Sequence, residues 1–479
     1  MKELRPHQER AISLLRESLG KGKRRPILQL PTGAGKTVIA ANIIRKARER
    51  GKRVCFAVPA TSLVDQTVVE FYREGLRDLG VIQGTHPMSD RSKPVQVASV
   101  QTLVSRGCPE FDLVLIDEAH RMFKVVEKWM NRDGCPFVGL SATPWSVGLG
   151  RLYDDLIIGA TTRELIEAGY LSDYRVFAPA HPDLTPVSLQ SGDYNARQLG
   201  EVMNQGGLVA DIVQSWLLHG ENRPTLCFAV NRAHAKALQQ QFGSAGVEAG
   251  YIDAKTDPIE RKLIEGQLRR GEIRVVCNVG CLTTGIDWDV RCIILARPTR
   301  SDMLFAQMIG RGLRTADGKA DCLILDHADN HARFGFVADI HHDHLDDGHR
   351  RKVRASLVGE ALPKECPKCA FLRAHDVVEC PNCGFKPERQ NTVEVKPGAL
   401  VQIAGKNRSF DRAEKQKWYS GLLHVAQVRG RKSGWAAHAF REKFGDWPRG
   451  LVREPEAPSA EVENFVRFKD IRYAKGAAG

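Results

Sequence analysis

Seven residues, Pro31-Thr32-Gly33-Ala34-Gly35-Lys36-Thr37, follow directly on the apolar run Ile27–Leu30 and lead into a helix-like stretch, TVIAANIIRKARER. Glycines in such a loop let successive backbone N–H groups curl around an anion at a helix N-terminus, where the peptide dipoles also favour negative charge. In that frame Thr32, Gly33, Ala34 and Gly35 cradle phosphate oxygens. Lys36 reaches the β and γ phosphates, and the Thr37 hydroxyl ligates Mg²⁺. The longer G-x-x-x-x-G-K-[ST] form requires glycine at position 30, where this chain has Leu30, so the loop is the shorter variant.

A second constellation lies at the end of another apolar run, Phe111–Ile116, which closes on Asp117-Glu118-Ala119-His120. Ligands gather beyond the carboxyl ends of parallel strands. Asp117 is therefore placed to hold Mg²⁺ and Glu118 to orient and deprotonate an attacking water. Paired carboxylates at a strand end are by themselves often a solvated turn; the phosphate loop is what gives these two a task.

The third is a set of four cysteines, Cys366-Pro-Lys-Cys369 and Cys380-Pro-Asn-Cys383. Each C-P-x-C turn aims two thiolates at one point, and four thiolates close a tetrahedral Zn²⁺ site with no open position. Iron and a redox dithiol are the competing uses of such thiols. The histidine-rich stretch His341-His342-Asp343-His344, with Asp346, Asp347 and His349, offers ligand atoms but no regular element to hold them, so no second metal site is expected there.

The elements that must position these groups follow from periodicity. Between residues 24 and 145, short apolar runs alternate with amphipathic helical stretches, the pattern of a parallel sheet covered by helices. The rhythm returns near residue 225. An α/β protein is expected, with two tandem parallel-sheet lobes. The ranges are 1–178 for the first, ATP-binding lobe, 179–207 for a Pro-, Gly-, Ser- and Asn-rich connection, and 208–350 for the second lobe. A zinc ribbon over 360–390 and a basic, tryptophan-containing, helical module over 410–479 follow, joined by a polar linker over 387–409.

Several further motifs share this frame: Gln8 in LRPHQ, Ala60-Thr61 with Gln66, Ser99-Val100-Gln101-Thr102, Leu140-Ser141-Ala142-Thr143-Pro144, Thr283-Thr284-Gly285-Ile286-Asp287, and Gln307-Met308-Ile309-Gly310-Arg311-Gly312-Leu313-Arg314. In order and spacing they resemble the superfamily 2 DEAD/DEAH-box helicases over roughly residues 3 to 330. The layout beyond the motor, with LDHADN and then four cysteines, resembles the RadD-type and phage-associated members. The resemblance implies that the two tandem parallel-sheet lobes are RecA-like, that Gln8 reads the adenine edge and that Asp287 meets the ribose. It makes His120, Ser141 and Thr143 the relay to the second lobe. Gln307, Arg311 and Arg314 become catalytic groups contributed across the cleft, the arginines as fingers. Thr61, Gln101, Thr102 and Thr283 are the implied strand contacts.

Composition sets the limits. The 479 residues fit about three domains at roughly 150 residues each, and 42% apolar with 27% charged residues suits globular cores. The net charge is +13, and residues 385–479 carry 19 Lys+Arg against 11 Asp+Glu, which favours an acidic partner at the C-terminal end. Eight scattered cysteines outside the two pairs indicate a reducing compartment. No apolar run reaches the ~18 residues a membrane span needs, and MKELRPHQER lacks the apolar core of a secretory signal, so a cytoplasmic, monomeric protein is expected. The expected ligands are ATP, Mg²⁺ and Zn²⁺. The expected partner is DNA, single-stranded or junction-containing, in replication, recombination or repair. The competing readings are an RNA helicase, the translocase subunit of a restriction enzyme, and an ATP-switched clamp that does not unwind.

Overall fold

The computed structural model describes residues 3–84, 86–132, 134–283, 285–349, 362–387, 410–432 and 434–476. Thr284 and nearly all of the 387–409 linker lie outside the described residues. The chain divides into two compact units, Met1–Glu388 and Arg389–Gly479.

In the first unit, seven strands form one sheet: β1 (Pro26–Gln29), β2 (Val54–Val58), β3 (Leu79–Ile82), β4 (Val95–Ser99), β5 (Leu113–Asp117), β6 (Phe137–Ser141) and β7 (Asp155–Ile158). Their order is β3-β4-β2-β5-β6-β1-β7, every pair parallel. Helices cover both faces, so these strands are apolar throughout instead of alternating. Val54 to Val58 and Phe137 to Ser141 are buried at every position.

The second sheet uses β8 (Asp173–Phe177), then, after a short hairpin of β9 (Leu189–Gln190) and β10 (Asp193–Tyr194), strands β11 (Thr225–Phe228), β12 (Ala249–Ile252), β13 (Val275–Asn278), β14 (Cys292–Leu295) and β15 (Asp321–Asp326). Their order is β12-β13-β11-β14-β15-β8, again all parallel. The chain thus contains two parallel-sheet α/β lobes.

Two features depart from the sequence ranges. Strand β8 falls in the span assigned to the first lobe, but it pairs with β15, Val176 opposite Ile324. An apolar strand says that it is buried and not which sheet buries it, so periodicity alone could not place it. The span 179–207 also does more than connect. Its helix Ala196–Met203 buries Leu199 and Met203 with Val187 and Val230, and Asp193 accepts hydrogen bonds from Thr299 Oγ1 (2.8 Å) and Arg300 N (2.7 Å).

After the second lobe, residues 337–349 return to the first. The His342 ring stacks on Trp145 at 4.6 Å, Gly150 N donates to Asp346 O at 2.7 Å, and Arg151 Nε donates to Asp347 O at 2.7 Å. The chain therefore links the lobes twice, once near Leu171 and once through this strap.

The cysteine region packs on the free edge of β8. Its strands β16 (Lys364–Glu365) and β17 (Leu372–Arg373) are antiparallel. Ala178 N donates to Ala370 O at 2.9 Å, and Phe177 meets Phe371 edge-on at 5.4 Å. Covering a sheet edge in this way removes a template for unwanted strand pairing. In the second unit, helices Arg412–Val428, Trp435–Phe444 and Ala460–Gly476 share a core of Trp418, Tyr419, Leu422, Ala439, Phe440, Val462 and Val466.

Gly139 of β6 sits where the first sheet meets the acidic turn. A Cβ there would lie 2.7 Å from Tyr153 Cε1 and 2.9 Å from both Ala119 Cβ and Ile27 Cγ1. Gly139→Ala is expected to lower stability by ~1–3 kcal/mol through overpacking. Denaturant unfolding of the variant checks this, and an unchanged midpoint would refute the close packing.

Candidate active site

The phosphate loop leaves the end of β1 and enters the helix Lys36–Arg48, whose last turn carries Arg45, Lys46 and Arg48 toward its negative pole. Gly33 and Gly35 hold left-handed backbone at φ 89° and 86°. A Cβ at Gly35 would come within 2.3 Å of Gln8 Nε2. Glycine is needed there both for its dihedral freedom and for this close approach.

Gln8 is committed to the loop: its Nε2 donates to Ala34 O at 3.1 Å, and its Oε1 accepts from Arg5 N at 3.0 Å. His7 reaches the same Ala34 carbonyl at 3.0 Å. The side chain that the resemblance sets at an adenine edge thus braces the loop here.

A cleft of about 310 Å³ opens in front of the loop, lined by Lys36, Thr37, Asp117, Glu118, Arg311 and Arg314 among others. That volume lies at the low end of small-ligand sites. Thr32, Gly33 and Gly35 line it too, as do Asp287 and Gly285 from the second lobe. Most of the nucleotide-site residues singled out in the sequence therefore converge on one space between the lobes. Arg5, Glu70 and Thr315 also line it. No spacing rule points to them, because each is an ordinary polar residue in its local element.

The cleft crowds four cations, Arg5, Lys36, Arg311 and Arg314, against four carboxylates, Glu70, Asp117, Glu118 and Asp287. Burial lowers the Lys36 ammonium from its ordinary value, with Glu118 and Asp117 opposing the effect. Burial presses the Arg311 guanidinium down to about 9, and the like charge of Arg314 adds to it. Arg314 is likewise lowered by burial. Arg311 Nε has no hydrogen-bond partner although it is buried. The Asp117 carboxyl is raised to about 7, first by burial and then by the neighbouring Glu118. Buried Arg311 with its orphaned Nε, flanked by the partly buried Lys36 and Arg314, suits an anion in this space, since a buried donor is otherwise paired. Asp117 and Glu118, adjacent and facing Lys36, set carboxylate oxygens where a divalent cation could be held.

Glu118 is one of six described non-glycine residues with left-handed backbone, at φ 46°. Such a conformation costs of order 1–3 kcal/mol and persists where the surroundings enforce it. Ala119 N donating to Leu140 O at 3.0 Å and Arg121 N donating to Glu118 O at 2.9 Å fix the turn around it.

A buried chain of hydrogen bonds crosses the cleft behind this turn. Ser141 Oγ meets His120 Nδ1 at 2.9 Å and accepts from Thr143 N at 3.1 Å. From the second lobe, Gln307 Nε2 lies 3.2 Å from His120 Nε2 and donates to Thr143 Oγ1 at 3.0 Å. Burial lowers the His120 pKa, which keeps the imidazole neutral and able to accept. On the second lobe, Arg314 Nη1 pairs with Asp287 at 2.8 Å, and Arg311 and Arg314 both donate to Ile286 O.

The four suggested strand contacts fare differently. Thr61 and Gln101 adjoin, Thr61 N donating to Gln101 Oε1 at 3.4 Å, and Gln101 is exposed. Thr102 and Thr283 are buried. The Thr102 hydroxyl is held by Ser99 Oγ at 2.9 Å within a helix cap, and Thr283 Oγ1 donates to Gly280 O at 3.0 Å within a turn. These two side chains are spent on local structure.

The four cysteine sulfurs gather within 4.8 Å of one another. Cys366 and Cys383 Sγ atoms lie 3.7 Å apart, as do those of Cys369 and Cys380. A tetrahedron with metal–sulfur bonds of ~2.3 Å has edges of roughly 3.8 Å, so the spacing fits a single ion. Both knuckles use the same turn. Cys366 N donates to Phe371 O and Ala370 N to Cys366 O, while Cys380 N donates to Phe385 O and Gly384 N to Cys380 O. Ala370 and Gly384 are equivalent and share left-handed backbone, φ 54° and 66°. Among the described residues this is the only such ligand cluster.

Comparison with known proteins agrees with this geometry. Residues 1–146 match the family described as type III restriction enzyme, res subunit, and residues 208–316 match the helicase conserved C-terminal domain. The chain belongs to the superfamily 2 helicases. The IRC3 helicase of Saccharomyces cerevisiae is 30% identical over 67% of this chain and 51% of its own length. The ATP-dependent DNA helicase uvsW of Enterobacteria phage T4 is 24% identical over 64% of this chain and 66% of that one. A 51.5 kDa protein of a Lactococcus phage is 28% identical over 87% of this chain and 94% of its own. The chain thus spans nearly all of the phage protein but only about half of the yeast helicase. Among solved structures, the ATP-dependent Type ISP restriction-modification enzyme LlaBIII, bound to DNA, shares the fold with a TM-score of 0.53 at 17% identity, over 68% of this chain and 28% of that one. No helix among the described residues is long and apolar enough to cross a membrane.

Gln307→Ala would remove both cross-cleft bonds and strip His120 Nε2 and Thr143 Oγ1 of a buried partner. The expected cost is ~1–3 kcal/mol. Equilibrium unfolding reads it, and a loss below a few tenths would mean that the relay is not made in solution.

Proposed function

We propose that this superfamily 2 helicase is a DNA-directed translocase whose ATP hydrolysis is switched on by closure of the cleft between its lobes. The observation that carries this reading is the set of Lys36 from the first lobe and Arg311 and Arg314 from the second, facing a single space with the orphaned Arg311 Nε. Phosphoryl transfer needs little covalent help from a protein. It needs positioning and positive charge around the transferred group, and an arginine supplied across a cleft is worth ~10³–10⁵ in rate.

The residue roles follow. The loop Thr32–Gly35 holds the phosphates through its backbone N–H groups, and Lys36 neutralises the β and γ oxygens. Thr37 and Asp117 would hold a divalent ion, which would supply positive charge to the bound phosphates. Glu118 orients the attacking water and takes its proton. Arg311 and Arg314 approach the γ-phosphate as the lobes close, with Asp287 steering Arg314 until nucleotide arrives and then free for the ribose. Gln307, His120, Ser141 and Thr143 report the state of the cleft across the interface. Gln8 holds the loop and is the group nearest to discriminate the base. Thr61 and Gln101 are the strand contacts we retain; Thr102 and Thr283 serve through backbone placement.

The cysteines carry a structural Zn²⁺ ion. Four sulfurs with tetrahedral spacing leave no coordination position for chemistry. The ribbon's role is to cap the β8 edge of the second lobe. The C-terminal helices form a separate accessory module.

DNA is favoured over RNA by the likeness to the DNA helicase of phage T4, while the basic C-terminal end suits either acid. The restriction-type reading draws on the family that matches residues 1–146. It predicts that the chain serves as the motor of a larger nuclease. ATPase assays with single-stranded DNA, duplex, forked DNA and RNA at fixed salt test the substrate. Stimulation by RNA alone would overturn the DNA reading.

Lys36→Ala and Glu118→Gln should each reduce ATP turnover at least a hundredfold, while Glu118→Gln still binds a fluorescent ATP analogue. Near-normal turnover by Glu118→Gln would assign the base elsewhere. Cys366→Ser should release about one equivalent of zinc and lower the melting temperature, because metal binding in a segment with so little core is folding free energy. Unchanged zinc content, measured by atomic absorption, would refute the closed site.

A further inference from the structure

The C-terminal unit segregates its charge along the chain. Residues 429–449 carry Arg429, Arg431, Lys432, Arg441, Lys443 and Arg449 against Glu442 and Asp446, whereas residues 454–463 hold four glutamates and no cation. Some of the cations are spent internally. Arg429 and Arg431 share Asp470 at 2.7 and 2.8 Å, and Lys443 lies 4.9 Å above the Trp418 ring. Lys432, Arg441 and Arg449 have no carboxylate partner among the described residues.

Trp447 stands among them and is not part of the core. The core of this unit is complete with Trp418, Tyr419, Leu422 and Phe440, and Trp447 keeps 38% of its surface exposed. The Arg441 guanidinium carbon lies 4.8 Å from its ring centre, and the His438 ring meets it edge-on at 5.0 Å. His438 and Arg441 are three apart on the helix Trp435–Phe444 and so share one face. Pro448 follows, with Arg449 N donating to Trp447 O at 2.7 Å, which fixes the turn that presents the indole. An exposed tryptophan held by a cation with no carboxylate partner has the two elements that recognise unpaired nucleic acid: a flat ring for a base and positive charge for the phosphate beside it.

We propose that His438, Arg441 and Trp447 form a stacking platform for a single strand of nucleic acid, a second contact apart from the motor's own strand contacts. The charge argument selects this occupant over an apolar or basic protein surface. The inference rests on the motor reading only in expecting a nucleic-acid substrate.

The test uses the full chain and a fluorescein-labelled 20-nucleotide oligo-dT, followed by anisotropy without ATP over a salt series. Trp447→Ala with Arg441→Ala should weaken binding about 5- to 100-fold, the range expected for one lost base–aromatic stack. The salt slope should fall by roughly 0.7, one phosphate contact on a single strand. Trp447→Phe should bind within a few-fold of wild type, and near-ultraviolet circular dichroism checks that the unit still folds in each variant. Unchanged affinity and slope in a folded double variant would overturn the platform while leaving the motor intact. Equal loss for poly-glutamate and for oligo-dT would also overturn it, marking a general acidic-peptide site. Failure of the wild-type chain to bind or be stimulated by any nucleic acid would instead sink the motor reading.

Discussion

The arrangement of the first unit depends on one constraint: Lys36 of one lobe and Arg311 and Arg314 of the other must face a single space beside the carboxylates of Asp117 and Glu118. Each of these cations is pushed toward its neutral form by burial, so the protein spends folding free energy to keep them there. The loop after β1 supplies the first of them, and the segment after the helix Asp302–Ile309 supplies the other two from the second sheet's lobe. Two sheets, each with its carboxyl edge turned to the same gap, solve the problem. The second lobe repeats the first in architecture and contributes a different chemical group.

The gap must also be sensed. Gln307 makes this sensing physical, since one amide nitrogen sits within reach of His120 and Thr143 of the other lobe. Those two residues are linked through Ser141, and His120 lies two residues after Glu118, whose backbone is held left-handed. A change in the separation of the lobes must therefore break or remake buried hydrogen bonds that end next to the carboxylate pair. Bonds of this kind are costly to leave unmade, so such an interface favours discrete states over gradual deformation.

The sequence was most legible where chemistry demands a residue type at a fixed spacing. The phosphate loop, the Asp117–Glu118 pair, the Gln307–Arg314 frame and the four cysteines could all be read, and the structure gathers each set. It was least legible where a residue's role depends on which neighbour it meets. Strand β8 is simply an apolar strand until β15 pairs with it. Thr102 and Thr283 carry hydroxyls suited to phosphate, but one is consumed by the helix cap at Ser99 and the other by a turn. Gln8 has the right group for a base edge and uses it on Ala34. Glu70 and Arg5 enter the cleft without any local signature. Periodicity reports burial, and it is silent on partners.

The same limit explains the strap. Residues 337–349 looked like a polar, histidine-rich stretch with loose metal-binding character, and composition could say nothing more. In three dimensions His342 is divided between Asp302 of the second lobe, at 2.8 Å, and the Trp145 ring of the first. Asp346 accepts from Gly148 N and Gly150 N, beside the Ser141–Thr143 segment. His341, His342 and Asp346 thus serve as hydrogen-bonding groups that hold the strap in place. With this strap and the crossing near Leu171, the chain bridges the cleft at two points. A body tied at two points to its neighbour loses rotational freedom about most axes. Any change in the separation of the lobes must therefore be absorbed at these two crossings.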